Sequence, residues 1–132
     1  MIRDSDTGIT LSAQSGYDDY GVLSEDFYRV TLHVDCRENL AINKYDVDVL
    51  VDGRRIATLG HGLRDDYDLE LREGSHQVEF RVNGKTIGGN DIYDPQDSGS
   101  FVNQSIRVSE NETFSYRVKL AMGNRIQVEQ LS

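Results

Sequence analysis

The sequence predicts an all-β domain, an antiparallel β-sandwich of the Ig-like or jelly-roll-like kind with about eight or nine strands. Three observations carry that expectation. Apolar residues recur at every second position, as in Val47, Val49, Val51 and again in Phe114, Tyr116, Val118, Leu120, which is the period of a half-buried strand. Turn residues punctuate the runs at short intervals, among them Asp52-Gly53, Glu73-Gly74-Ser75 and Glu110-Asn111-Glu112. No stretch carries a convincing helical stripe of comparable length.

Taken in order, residues 4–26 are rich in Asp, Ser and Gly and hold one short alternating piece, Ile9, Leu11 and Ala13. They read as an edge strand followed by a loop through Tyr17 and Tyr20. Residues 27–36 form a clean strand, with Val30, Leu32, Val34 and Cys36 on the buried face and Arg29, Thr31, His33 and Asp35 opposite. Residues 37–43 are too short for a stable helix of their own and serve as a connection, with Leu40 and Ile42 expected under the sheet.

Val47, Val49 and Val51 face the core opposite Asp46 and Asp48, and Asp52-Gly53 follows at once. That pair supplies the positive φ angles of a tight hairpin, so residues 54–59 should return in fixed register. Gly60-His61-Gly62 makes a second turn, after which Tyr67, Leu69, Leu71 and then Val78, Phe80, Val82 alternate with polar residues. Residues 45–82 are therefore expected as a meander of consecutive antiparallel strands around which the rest is organised.

The pattern stops over residues 83–99, which are rich in Gly and Asp and contain the only proline, Pro95. A connection that long in a compact domain is a mobile loop or a functional one. Alternation resumes with Val102, Ile106 and Val108, continues through Phe114 to Leu120, and passes a Gly123-Asn124 turn into Ile126 and Val128.

The chain has 132 residues, enough for one domain with a single core, expected to span residues 1–132. Fourteen basic residues against 23 acidic ones leave a net charge of −9, which repels phosphate backbones and anionic lipid, so nucleic acid is not an expected partner. The single cysteine, Cys36, cannot close an intramolecular disulfide or furnish a multi-thiolate zinc site. No apolar run approaches the length of a membrane helix, and Met1-Ile2-Arg3-Asp4 lacks the apolar stretch of a signal peptide, so no membrane insertion is expected of this chain.

A recognisable set of positions runs through Cys36, Asn39-Leu40, Lys44-Tyr45-Asp46-Val47, Val51-Asp52-Gly53, Ile56, Thr58-Leu59, His61-Gly62, Leu69, Leu71, Gly74, His76 and Phe80. It resembles a β-rich repeat domain of bacterial proteins, and its Val-Asp-Gly and Gly-x-His elements are similar to those of the PEGA family of small β-modules. The resemblance covers roughly residues 30–130; where that family has a Thr-Pro step, Leu59-Gly60-His61 stands instead. It implies an accessory module of an exported or envelope-associated bacterial protein, with an extracytoplasmic setting favoured and a cytoplasmic one left open. It brings no catalytic motif.

Candidate site residues are few. His33 and Cys36 lie three apart on one strand and so face opposite ways, which rules out a base and nucleophile pair there. Cys36 is expected as a small buried hydrophobe, His61 as a turn residue, and His76 as part of a turn-locking hydrogen bond. Asp65, Asp66, Asp68 and Glu70 read mainly as the solvated face of one strand. Asp91, Asp94 and Asp97, with Asn90 and Ser98, are spaced so that their oxygens could surround a calcium ion, although not in the EF-hand pattern. Tyr17 and Tyr20, together with Tyr93 in the long loop, have the composition of a contact patch for a glycan or a protein. The sequons at Asn103 and Asn111 carry meaning only in a eukaryotic secretory setting.

The functional expectation is a non-catalytic binding, spacer or display module with no resident cofactor. Its partner would be an undefined protein or glycan. A small enzyme or carbohydrate-binding accessory domain, with a loop-borne site and one of the three histidines as base, stands as an alternative, as does a homo-oligomeric assembly unit. The enzyme requires a histidine within reach of a carboxylate inside a cleft.

Overall fold

A computed structural model describes residues 26–37, 45–121 and 125–131. The expected strand at Ile9 to Ala13, Tyr17, Tyr20, Leu40, Ile42 and the Gly123-Asn124 turn lie outside the described residues. The eight strands among the described residues are β1 (Phe27–Cys36), β2 (Asp46–Val51), β3 (Arg54–Leu59), β4 (Arg64–Arg72), β5 (Gly74–Asn83), β6 (Phe101–Val108), β7 (Glu112–Ala121) and β8 (Arg125–Gln130). They form two four-stranded sheets, ordered β4-β1-β7-β8 and β3-β2-β5-β6. The result is the all-β sandwich that the alternation foretold.

The pairing corrects the meander. β2 and β3 do form a hairpin, with Asp52 at φ 50° and Gly53 at φ 85° supplying the turn. β4, however, leaves for the other sheet, where it pairs antiparallel with β1 from Phe27↔Arg72 to Asp35↔Arg64. Only Glu73 separates β4 from β5, and a tight hairpin needs two turn residues. The chain instead passes from one sheet to the other through Gly74 at φ 130°. A second departure is that β1 and β7 run parallel, Val30↔Glu112 to Cys36↔Val118, while every other pairing between named strands is antiparallel.

The hairpin register is also not continuous. Val49 faces Ala57 but Leu50 faces Arg55, so Ile56 is the extra residue of a bulge in β3. Leu50 belongs to the outward set of β2, opposite Glu79, and is nevertheless buried.

The core lies between the sheets and takes the alternating residues that the sequence marks. Val30, Leu32, Val34, Val47, Val49, Val51, Leu71, Val78, Phe80 and Val118 are all fully buried, and Leu69, Ile106, Val108, Phe114, Leu120 and Ile126 belong to the same cluster. Tyr116 on β7 meets Phe80 on β5 across the sandwich, ring centroids 5.2 Å apart and tilted by 60°, a geometry favourable for aromatic pairs. Burial pushes the Tyr116 phenol up to about 12, and its hydroxyl has no hydrogen-bond partner among the described residues.

Candidate functional site

The two ends of the sandwich differ. At one end the connections are Asp52-Gly53, Glu73 and residues 109–111, all tight. At the other lie the end of β1, the start of β2, residues 60–63 and 84–100, the end of β7 and the start of β8, and 84–100 is the longest connection among the described residues. In a sandwich, loops gathered at one end are the part free to take on recognition while the strands hold them in place.

The tight end is pinned by His76, which is 7% exposed. Its Nδ1 lies 2.5 Å from Asp52 Oδ2 and its Nε2 lies 2.6 Å from the Arg72 carbonyl. A carboxylate and a carbonyl can only accept, so both ring nitrogens donate and the imidazole is cationic. Burial opposes that charge most strongly, but the hydrogen bonds to Asp52 and Arg72 and the Asp52 charge together raise the pKa above its ordinary 6.5. Asp52 also accepts from the Gln77 N–H at 2.9 Å. His76 thus ties the β2–β3 turn to the end of β4, the turn-locking role its position suggests, with both of its nitrogens already occupied.

At the open end, the loop of residues 84–100 is built in two braced halves. In the first, Lys85 and Asp91 form a β-bridge with a 2.6 Å ion pair, and Thr86 and Asn90 close a small turn between them. Ile92 enters the core cluster, while Ile87 at the tip is 100% exposed. In the second half Ser100, 1% exposed, accepts from the Asp94 N–H and places its hydroxyl on the Asp94 and Asp97 carbonyls.

The three aspartates proposed for calcium therefore serve separate partners. Asp91 holds Lys85, Asp94 accepts from the Gln96 N–H and Asp97 from the Gly99 N–H, each within this loop. Among the described residues no group of three or more His, Cys, Asp or Glu is placed to share a metal ion. Tyr93 is half-buried on the outer face of the β3-β2-β5-β6 sheet. Its ring lies under the Arg81 guanidinium, 4.4 Å away, and edge-on to Phe101 at 5.9 Å. Arg81 is oriented in turn by a forked bond to Glu79.

At the same end, an open cleft of about 560 Å³ is lined by Asp35, Cys36, Arg37, Gly62 and Arg64. Leu63, next to it in the chain, is 58% exposed. Cys36 is 1% exposed and packs in the core cluster, and burial pushes its thiol up to about 11, which disfavours the thiolate. His61 Nδ1 is shielded from water with no partner among the described residues.

His33 meets a carboxylate too, with Nδ1 2.5 Å from Asp66 Oδ1 and Ser115 as its register neighbour on β7. That pair stands on the outer face of the β4-β1-β7-β8 sheet with side chains 36% and 62% exposed. It has the contact that a catalytic base requires, and neither residue lines the cleft at Cys36 and Gly62. Along the same face Thr31 donates to Asp68 at 2.7 Å.

Sequence reasoning singled out Tyr93 but not Arg81, Phe101, Leu63 or Ile87. A signal for Ile87 existed, since it is an aliphatic residue between Thr86 and Gly88-Gly89 with no alternating neighbour. Compared with known proteins, the chain matches no family model and no curated protein.

Proposed function

We propose that this chain is a non-catalytic recognition module that binds a protein partner through the loop-bearing end of its sandwich. The observation that carries the reading is the contrast between the two ends. One is closed by tight turns and the doubly bonded His76, whereas the other bears the braced loop, the open cleft and, among the described residues, the two most exposed large apolar side chains, Ile87 and Leu63. An aliphatic tip on a braced turn suits insertion into a partner's apolar pocket. Arg37 and Arg64 line the cleft and offer guanidinium groups to a partner. A protein is favoured over a glycan because the Tyr93 ring already carries Arg81 on one face and Phe101 at its edge. An exported or envelope-associated bacterial setting is part of the proposal and is supported by the resemblance at Asp52-Gly53 and His76.

The test is selection from a displayed random-peptide library on the immobilised domain, with an array of defined glycans alongside. Selected peptides should shift backbone resonances of residues 60–64 and 84–93, and Ile87→Asp should weaken them about tenfold or more, roughly the loss of one buried apolar contact. Glu110→Lys at the opposite end should leave them unchanged. Binders that map to the tight end, or that ignore Ile87→Asp, would refute the reading.

A further inference from the structure

Among the described residues each sheet ends in two edge strands, β4 and β8 in one and β3 and β6 in the other. An edge presents unpaired N–H and C=O groups and is a template for another strand unless something blunts it. β4 carries Asp65, Asp66, Asp68 and Glu70 along its length. β3 is six residues long and broken by the bulge at Ile56. β8 is also six residues long, and the N–H of Ile126 is already bonded to the Gly99 carbonyl.

β6 has none of these devices. It is eight residues long, FVNQSIRV, with one charged side chain, Arg107, and no glycine, proline or acid. It pairs with β5 in unbroken register from Gly74↔Val108 to Arg81↔Phe101. We propose that β6 is a self-association edge: two copies of this chain pair their β6 strands antiparallel about a two-fold axis, merging the two β3-β2-β5-β6 sheets into one.

Side-chain chemistry selects a second copy as the occupant. If the core faces of both copies are to stay on one side, even-numbered residues must meet even and odd must meet odd. An axis through Ser105 satisfies this. It sets Ser105 against itself, Asn103 against Arg107, Gln104 against Ile106 and Val102 against Val108. No like charges are opposed, which an isologous contact requires of itself. The same operation about Asp68 of β4 would set Asp66 against Glu70 and Asp68 against itself. The axis also lies toward the end of β6 away from Gly99, where the start of β8 comes alongside. Each molecule carries −9, so β6 lets two acidic molecules meet along a strand with no acid of its own.

The experiment is light-scattering mass across micromolar to millimolar concentration at low and high salt, on the chain and three variants. The mass should rise from 14.9 kDa toward twice that value, and salt should strengthen the association by screening the two negative molecules. Ser105 is exposed and accepts from Gln77 Nε2 at 2.8 Å. Ser105→Glu keeps an acceptor there but opposes two carboxylates at the axis, and should weaken the dimer about tenfold or more. Asn103→Glu faces Arg107 and should strengthen it. Ser105→Cys should crosslink two chains under mild oxidation, since Cys36 is buried and does not compete. A monomeric mass throughout would overturn the proposal, as would a dimer that neither variant of opposite sign affects. A monomer whose β6 amides resist hydrogen exchange would also overturn it, by showing that another segment covers the edge.

Discussion

Replacing His76 by phenylalanine keeps an aromatic volume and removes both donors. A hydrogen bond to a charged group contributes about 1.5–3 kcal/mol, so the pair to Asp52 and Arg72 is worth about 3–6 kcal/mol. The Asp52 side chain is 21% exposed and recovers some water when its partner leaves, which places the expected loss near the lower figure, about 3 kcal/mol. At roughly 4 °C per kcal/mol for a domain of this size, Tm should fall by about 12 °C at pH 6. The loss should depend on pH in a defined direction. Because the native pKa of His76 is raised above the unfolded 6.5, its contribution is complete below 6.5 and fades as pH climbs through the native value. The gap in Tm between the chain and His76→Phe should therefore narrow steadily from pH 6 to pH 9. Thermal melts across that range measure it, and nitrogen NMR of the imidazole should find both ring nitrogens protonated at pH 6. A gap that stays constant with pH, or a neutral ring at pH 6, would refute the assignment of two donors.

Two further outcomes test the packing. Tyr116→Phe removes a fully buried hydroxyl that has no partner among the described residues, so it should leave Tm unchanged or raise stability by up to about 1 kcal/mol. A loss beyond about 1 kcal/mol in urea melts would mean that the hydroxyl is bonded. Gly84→Ala would drive a Cβ into Tyr45 Cδ1 and place it 2.9 Å from Cε1, and should cost about 1–3 kcal/mol as the buried ring is displaced. Combining it with Tyr45→Leu should cost less than the sum of the two single changes, whereas strict additivity would show that the clash is not the cause.

The inward and outward faces were legible because burial in a sheet acts on every second side chain, and Val30 to Cys36 or Val78 to Val82 declare it without help. Which strand neighbours which was not. Alternation is the same whether Leu69 and Leu71 face the core from one sheet or the other, so β4 read as the next turn of a meander when it pairs with β1. The Asp52-Gly53 turn was readable from the φ angles that those residues tolerate. Its partnership with His76 was not, because only the β2–β5 register, Val51↔Val78, brings the two turns together. The same holds at the open end. Tyr93 could be noticed as a loop aromatic, but Arg81 and Phe101 beside it come from two strands whose adjacency has no local signature.

The parallel pairing of β1 with β7 bears on how the chain acquires its structure. The β3-β2-β5-β6 sheet draws its strands from one middle portion of the polypeptide and can assemble as that portion emerges from the ribosome. The other sheet must hold its first strand in reserve until β7 has been made, since Leu32 finds Phe114 only then. Closing so wide a loop is entropically slow, and in that interval the backbone edge of β1 that β7 covers has no partner strand. A chain truncated before β7 would keep that edge of β1 unpaired for good.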